Sequence, residues 1–202
     1  MNRQEYLNQI SATNRPTKKP KNKILSSKFF QVGLIGIVVF TIIIIIGSVI
    51  GGSRSSLKDR LIALILRIDN TSRVIDEYRN QIKSSKLRSD SAMLHSVLSS
   101  TNQDLNTYAV SKYNFNGKDI KKSIDQEETL AHDELTEELF EAKINGNLDS
   151  TYATKMTYEI SLITAREVQI INALGDDTFA ETLTLHYDNL DKLYSEFSNF
   201  SE

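Results

Sequence analysis

Residues 57–82 read LKDRLIALILRIDNTSRVIDEYRNQI. Leu57, Leu61, Leu64, Ile68, Ile75, Tyr78 and Ile82 recur in steps of three and four once Thr71 fills the gap between Ile68 and Ile75. That heptad-like stripe is the signature of a helix with one buried face. Three further stripes share the same period: Leu94, Leu98, Thr101, Leu105 and Tyr108; Ile120, Ile124, Ala131, Leu135, Leu139 and Ala142; Tyr152, Met156, Ile160, Ile163, Ile170 and Leu174. A fifth helix is expected to bury Phe179, Leu183, Leu190, Leu193 and Phe197. The seryl run from Ser84 to Ser91 weakens the pattern between the first two stripes. Asn114-Phe-Asn-Gly117 is a turn signal, because Asn and Gly tolerate positive φ. Gly146 suits the end of the third helix and Gly175 the end of the fourth. Asp176, Asp177 and Thr178 can each cap the fifth, with Thr178 and Glu181 at capping-box spacing.

Each stripe is narrow and flanked by polar residues, so none buries itself alone. Short connections imply antiparallel neighbours. The expected architecture is all-α, one N-terminal transmembrane helix followed by an antiparallel bundle of four to five helices. Composition agrees: of 202 residues only 2 are proline and 8 glycine, too few turn formers for a many-stranded β fold. Cysteine is absent, which removes disulfides, thiolate-held metals and cysteine nucleophiles.

Phe29 to Ile50 reads FFQVGLIGIVVFTIIIIIGSVI and holds no charge. As a helix these 22 residues would extend roughly 33 Å, enough for a hydrocarbon core of about 30 Å. A soluble helix needs one face for water, and five consecutive isoleucines at 42–46 leave none. A cleaved signal peptide is the rival reading, since Gly47, Ser48, Gly51 and Gly52 offer small residues at the outer end. Its apolar region normally runs only about 7–15 residues, so an uncleaved signal-anchor is preferred. Gly47 and Gly51 also have the spacing that permits close helix approach in a membrane, or they serve as a flexible joint.

The charge distribution sets the orientation. Residues 1–28 carry a net +6, residues 53–118 a net +5 and residues 119–202 a net −13, recovering the overall −2. Lys18, Lys19, Lys21, Lys23 and Lys28 precede the apolar segment with no acid among them. This bias places the N-terminus in the cytoplasm. The expected organisation is therefore a basic disordered cytoplasmic tail (1–28), a single-pass transmembrane helix (29–50) and an extracytoplasmic bundle (51–202). The lipid bilayer is then one partner, and other envelope proteins or a second copy are further ones. The span explains the basic run, and nucleic acid is not an expected partner. Within the bundle the basic first two helices can lie against the acidic last three, choosing neighbours more than supplying stability.

Motifs of chemistry are missing from the sequence. No G-x-S-x-G elbow, phosphate-binding glycine loop or HExxH pair occurs, and His95, His132 and His186 fall on three different helices. A ferritin-like carboxylate site needs Glu-x-x-His on two helices, and no glutamate is followed by histidine at that spacing. The nearest approach is Glu128 and His132, four apart on one face, with Glu159 and Glu167 near the inner edge of the fourth helix. Packing of the third helix on the fourth decides whether those four meet. No catalytic residue, cofactor or metal ligand is therefore assigned. The tyrosines Tyr108, Tyr152, Tyr158, Tyr187 and Tyr194 are expected at rim and core.

The run Glu138-Leu-Phe-Glu-Ala-Lys-Ile-Asn-Gly-Asn-Leu-Asp149 and the subsequent Tyr152-Ala-Thr-Lys-Met-Thr-Tyr-Glu-Ile-Ser161 carry a resemblance. Together with Glu5-Tyr-Leu, Arg15-Pro and Ser26-Ser-Lys-Phe-Phe30, the chain resembles single-pass membrane proteins with an exported helical domain from ultrasmall candidate-phylum bacteria. The resemblance implies a tethered helical domain at a bacterial cell surface. It implies no activity and no catalytic residues. A non-enzymatic structural or interaction role is the leading expectation. A subunit of an envelope secretion or transport complex and a carboxylate-metal protein are the alternatives.

Overall fold

The computed structural model describes residues 56–116, 120 and 122–201. The expected tail (1–28), membrane helix (29–50) and the first residues of the outer region lie outside the described residues. Within them the fold is all-α, with five helices and no strand: α1 (Leu57–Tyr78), α2 (Ser85–Tyr113), α3 (Lys122–Asn145), α4 (Leu148–Ile171) and α5 (Asp177–Ser198). No described helix is long and apolar enough to cross a membrane.

Local chemistry sets the helix ends. Ser56 opens α1 with a full capping box: its Oγ accepts from Asp59 N at 3.2 Å, and Asp59 accepts in turn from Ser56 N at 3.2 Å. A 3₁₀ turn over Arg79–Gln81 ends the first helix. Ser84 then caps α2, accepting from Leu87 N at 3.3 Å. The seryl run therefore starts a helix where the apolar pattern is weakest. Ser91 is buried, and its hydroxyl donates to Leu87 O at 2.6 Å instead of breaking the turn. Asn114 closes α2 at φ 51°, and Gly146 closes α3 at φ 80°. At α5 the structure selects among the three cap candidates Asp176, Asp177 and Thr178. Asp176, not Thr178, is the N-cap, accepting from Phe179 N at 3.1 Å. A residue in extended conformation one turn before Phe179 is the one whose side chain reaches that N–H.

Successive helices run up, down, up, down, up. α1 packs on α2, α3 and α4, while α5 packs on α2 and α4. The first and fourth helices are thus the shared spine of two layers. Every member of the first stripe except Leu57 is buried, and Leu98, Leu105, Leu139, Ile160, Ile163, Leu183 and Leu190 join it in one contiguous core. Tyr78, Tyr152 and Phe197 are the bulkiest fully enclosed side chains. Helix α3 is the poorest in apolar anchors. Leu135, Leu139 and Ala142 are buried near its C-terminal half, whereas Leu130, Phe140 and Ile144 are exposed.

Candidate functional site

The N-terminal half of α3 is held by charge instead. Arg67 sits in the apolar run of α1 between Leu64 and Ile68, which points it inward. Its Nε and Nη2 donate to Glu159 Oε2 and Oε1 of α4 at 2.7 and 2.8 Å. Its Nη1 reaches Glu128 Oε2 of α3 at 3.4 Å. Arg166 of α4 donates to the other oxygen, Glu128 Oε1, at 2.6 Å and to Ala63 O of α1 at 3.2 Å. Asn70 Nδ2 donates to Glu128 O at 3.0 Å. Thr71 Oγ1 lies 2.8 Å from Arg67 O and 3.3 Å from Glu159 Oε2.

Two guanidiniums and two carboxylates thus form a neutral, buried quartet joining three helices. Glu128, Glu159 and Arg67 are all buried. Burial by itself would lower Arg67, but the charges of Glu159 and Glu128 outweigh it and hold the guanidinium above its ordinary range. A guanidinium does not release its proton in a protein, and a carboxylate in a forked pair has its lone pairs engaged. The quartet is a fastener, not an acid–base pair.

The four residues singled out for a carboxylate site do not converge. Glu128 and Glu159 approach one another only through Arg67. His132 keeps its Nδ1 buried without a hydrogen-bond partner. Glu167 lies two turns beyond Glu159, fully buried, with neither oxygen bonded, and burial pushes its carboxyl up to about 8. Among the described residues, no three histidine, aspartate or glutamate side chains are grouped to hold a metal ion.

Packing also makes two polar arrangements that the sequence did not announce. His186 of α5 lies between α2 residues, its Nε2 3.1 Å from Asp104 Oδ2 and its Nδ1 in contact with Thr101 Oγ1. The order acid, imidazole, hydroxyl is that of a nucleophile relay. Thr101 is fully buried, however, and its hydroxyl donates to Val97 O at 2.9 Å, so no substrate reaches it. At the other end of the bundle Asp149 of α4 accepts from Lys83 N at 3.0 and 3.1 Å and from Ser84 N at 2.7 Å. That carboxylate stands on a shallow groove of about 490 Å³ whose rim carries Lys83, Lys143 and Phe200. His95 pairs with Asp76 at 3.3 Å.

No protein-family model, curated protein or solved structure matches the chain.

Proposed function

We propose that this chain is a membrane-anchored helical bundle displayed outside the cytoplasmic membrane, with a structural or protein-interaction role and no catalytic centre. The observation that carries the non-catalytic part of this reading is the buried quartet. The carboxylates best placed for chemistry are held by Arg67 and Arg166 and fix the register of α1, α3 and α4. The apolar segment 29–50 and its flanking lysines supply the anchor and the orientation. The resemblance to tethered proteins of ultrasmall bacteria points the same way.

An interaction role is supported by the outer side of α3. Leu130, Phe140 and Ile144 are exposed there among the exposed acids Glu134, Glu137 and Glu141. Apolar residues at such spacing on an acidic helix suit contact with another envelope protein, including the subunits of a larger complex. Protease added to wall-permeable cells should remove an epitope at Glu202 and spare one at Met1. The reverse pattern of protection would end the membrane reading. A photo-crosslinker at Phe140 that captures no protein in intact cells would end the interaction reading.

A further inference from the structure

Because the helices alternate in direction, Leu57 at the start of α1, Tyr113 at the end of α2 and Ile171 at the end of α4 lie at one pole. The connection 172–176 and the start of α5 lie there too. This pole carries a cluster of aromatic and apolar side chains beside the acids Asp176 and Asp177. Tyr108 and Phe179 stack with ring centroids 3.9 Å apart and planes 2° from parallel, and Tyr113 meets Tyr108 edge-on at 6.5 Å. Leu57, Tyr113, Phe115, Ile171 and Leu174 pack on the core from outside and keep part of their surface open. The opposite pole carries the groove lined by Gln81, Lys83, Lys143, Leu148, Asp149 and Phe200.

We infer that the aromatic pole is a lipid-contacting surface, seated on the headgroup region of the membrane that anchors the chain. The inference rests on the membrane reading of residues 29–50 and deepens it. Its warrant is the length of the intervening chain. Residues 51–56 separate Ile50 from Leu57. Even fully extended, they reach about 20 Å at roughly 3.3–3.6 Å per residue. The pole that begins with Leu57 therefore stays within that distance of the bilayer, while the groove at the other pole is carried away by the length of α1, roughly 33 Å. Tyrosine and phenylalanine rings with one side packed and one side open suit the boundary between acyl chains and water. Half-buried rings would also lose less on contact with lipid than on exposure to bulk water.

The chain has no tryptophan, so one introduced tryptophan is an unambiguous fluorescent reporter. The full chain is reconstituted in vesicles containing phosphatidylglycerol and bromine-labelled phosphatidylcholine, with the brominated lipid omitted in the reference. Four variants are compared: Phe115→Trp and Leu174→Trp at the aromatic pole, Phe200→Trp at the opposite pole and Phe40→Trp in the apolar segment. Two reporters at the aromatic pole guard against one substitution disturbing the fold, and unchanged far-ultraviolet circular dichroism confirms that each variant is intact. The expected result is loss of emission for Phe115→Trp, Leu174→Trp and Phe40→Trp, with Phe200→Trp unaffected. Quenching of Phe40→Trp with neither pole quenched overturns the seating and leaves the anchor standing. Equal quenching of Phe115→Trp, Leu174→Trp and Phe200→Trp also overturns it, because the bundle then has no preferred end. An unquenched Phe40→Trp overturns the anchor itself, and the seating with it.

Discussion

Arg67 and Glu159, 92 residues apart in the chain, close a two-pronged ion pair at 2.7 and 2.8 Å inside the bundle. Both residues are buried. Isolating either charge should therefore be worse than removing both. Arg67→Ala leaves Glu159 buried without a guanidinium and Glu128 with Arg166 alone, a loss of about 3–5 kcal/mol for a broken buried pair. The double replacement Arg67→Met with Glu159→Leu leaves Arg166 on Glu128 and restores apolar volume, and it should recover most of that loss. Denaturant unfolding of the three proteins checks the order. A double variant less stable than Arg67→Ala would show that the pair itself, rather than its isolation, governs stability.

Glu167 gives the bundle a pH dependence of definite sign. Burial raises its carboxyl from the ordinary value of 4.5 to about 8. Between those values the folded chain holds a proton that the unfolded chain has released. Stability is therefore full below about pH 4.5 and is lost as pH rises through about 8. Each unit of displacement corresponds to about 1.36 kcal/mol, so the total is on the order of a few kcal/mol. Glu167→Gln should flatten the profile and raise the midpoint of thermal unfolding most at pH 8–9. A wild-type midpoint that stays level or rises from pH 5 to pH 9, with no difference from the variant, would show that Glu167 has a partner or reaches water.

The helix stripes were legible because a cylinder with one wet face imposes its period on the sequence. Thr71 and Glu167 illustrate how far that goes. Each fills a gap in an apolar stripe, and both are fully enclosed or nearly so. The partners that enclosed polar groups find were not legible. Whether Glu128 and His132 would meet Glu159, Glu167 or an arginine depends on the rotation of α3 against α1 and α4, and a slip of one residue turns a side chain by about 100°. Arg67 was the missed residue. Its signal was present, an arginine flanked by Leu64, Ile65, Leu66 and Ile68, but its long side chain also suits a helix edge, where the head reaches water. Thr101, Asp104 and His186 were invisible as a group for the same reason, since α2 and α5 are far apart in sequence and their facing register is set by packing alone. Of the three cap candidates for α5, Asp176 serves because side-chain reach, not capping-box spacing, decides which residue meets the first free N–H.

Asp149 joins two helix starts. It lies in the first turn of α4 and accepts the backbone N–H groups of Lys83 and Ser84, just ahead of α2. Asp149→Ala leaves those donors to water at the mouth of the groove and removes an acid from the positive end of both helices. The expected cost is about 1–2 kcal/mol. Amide exchange should quicken first at Lys83, Ser84 and the first turn of α2. Uniform acceleration across all five helices, with no excess there, would mean that the carboxylate serves global packing instead.

The contrast between Leu98 and Leu130 tests the bundle as a whole. Both are leucines inside a helix, yet Leu98 is 0% exposed and Leu130 is 69% exposed. A carboxylate at position 98 would sit in the seam of α2 among apolar neighbours. An uncompensated buried charge costs several kcal/mol, a large share of the stability of a domain this size. Leu98→Asp should therefore abolish the helical signal or drop the thermal midpoint sharply. Leu130→Asp adds one more acid to an already acidic, solvated face. It should shift stability by no more than about 0.5 kcal/mol, as surface replacements usually do. The two variants differ only in position, so composition and net charge cannot account for a difference between them. If Leu130→Asp proved as damaging as Leu98→Asp, the outer side of α3 would be covered by another protein surface in the native state, and the damage should then depend on protein concentration.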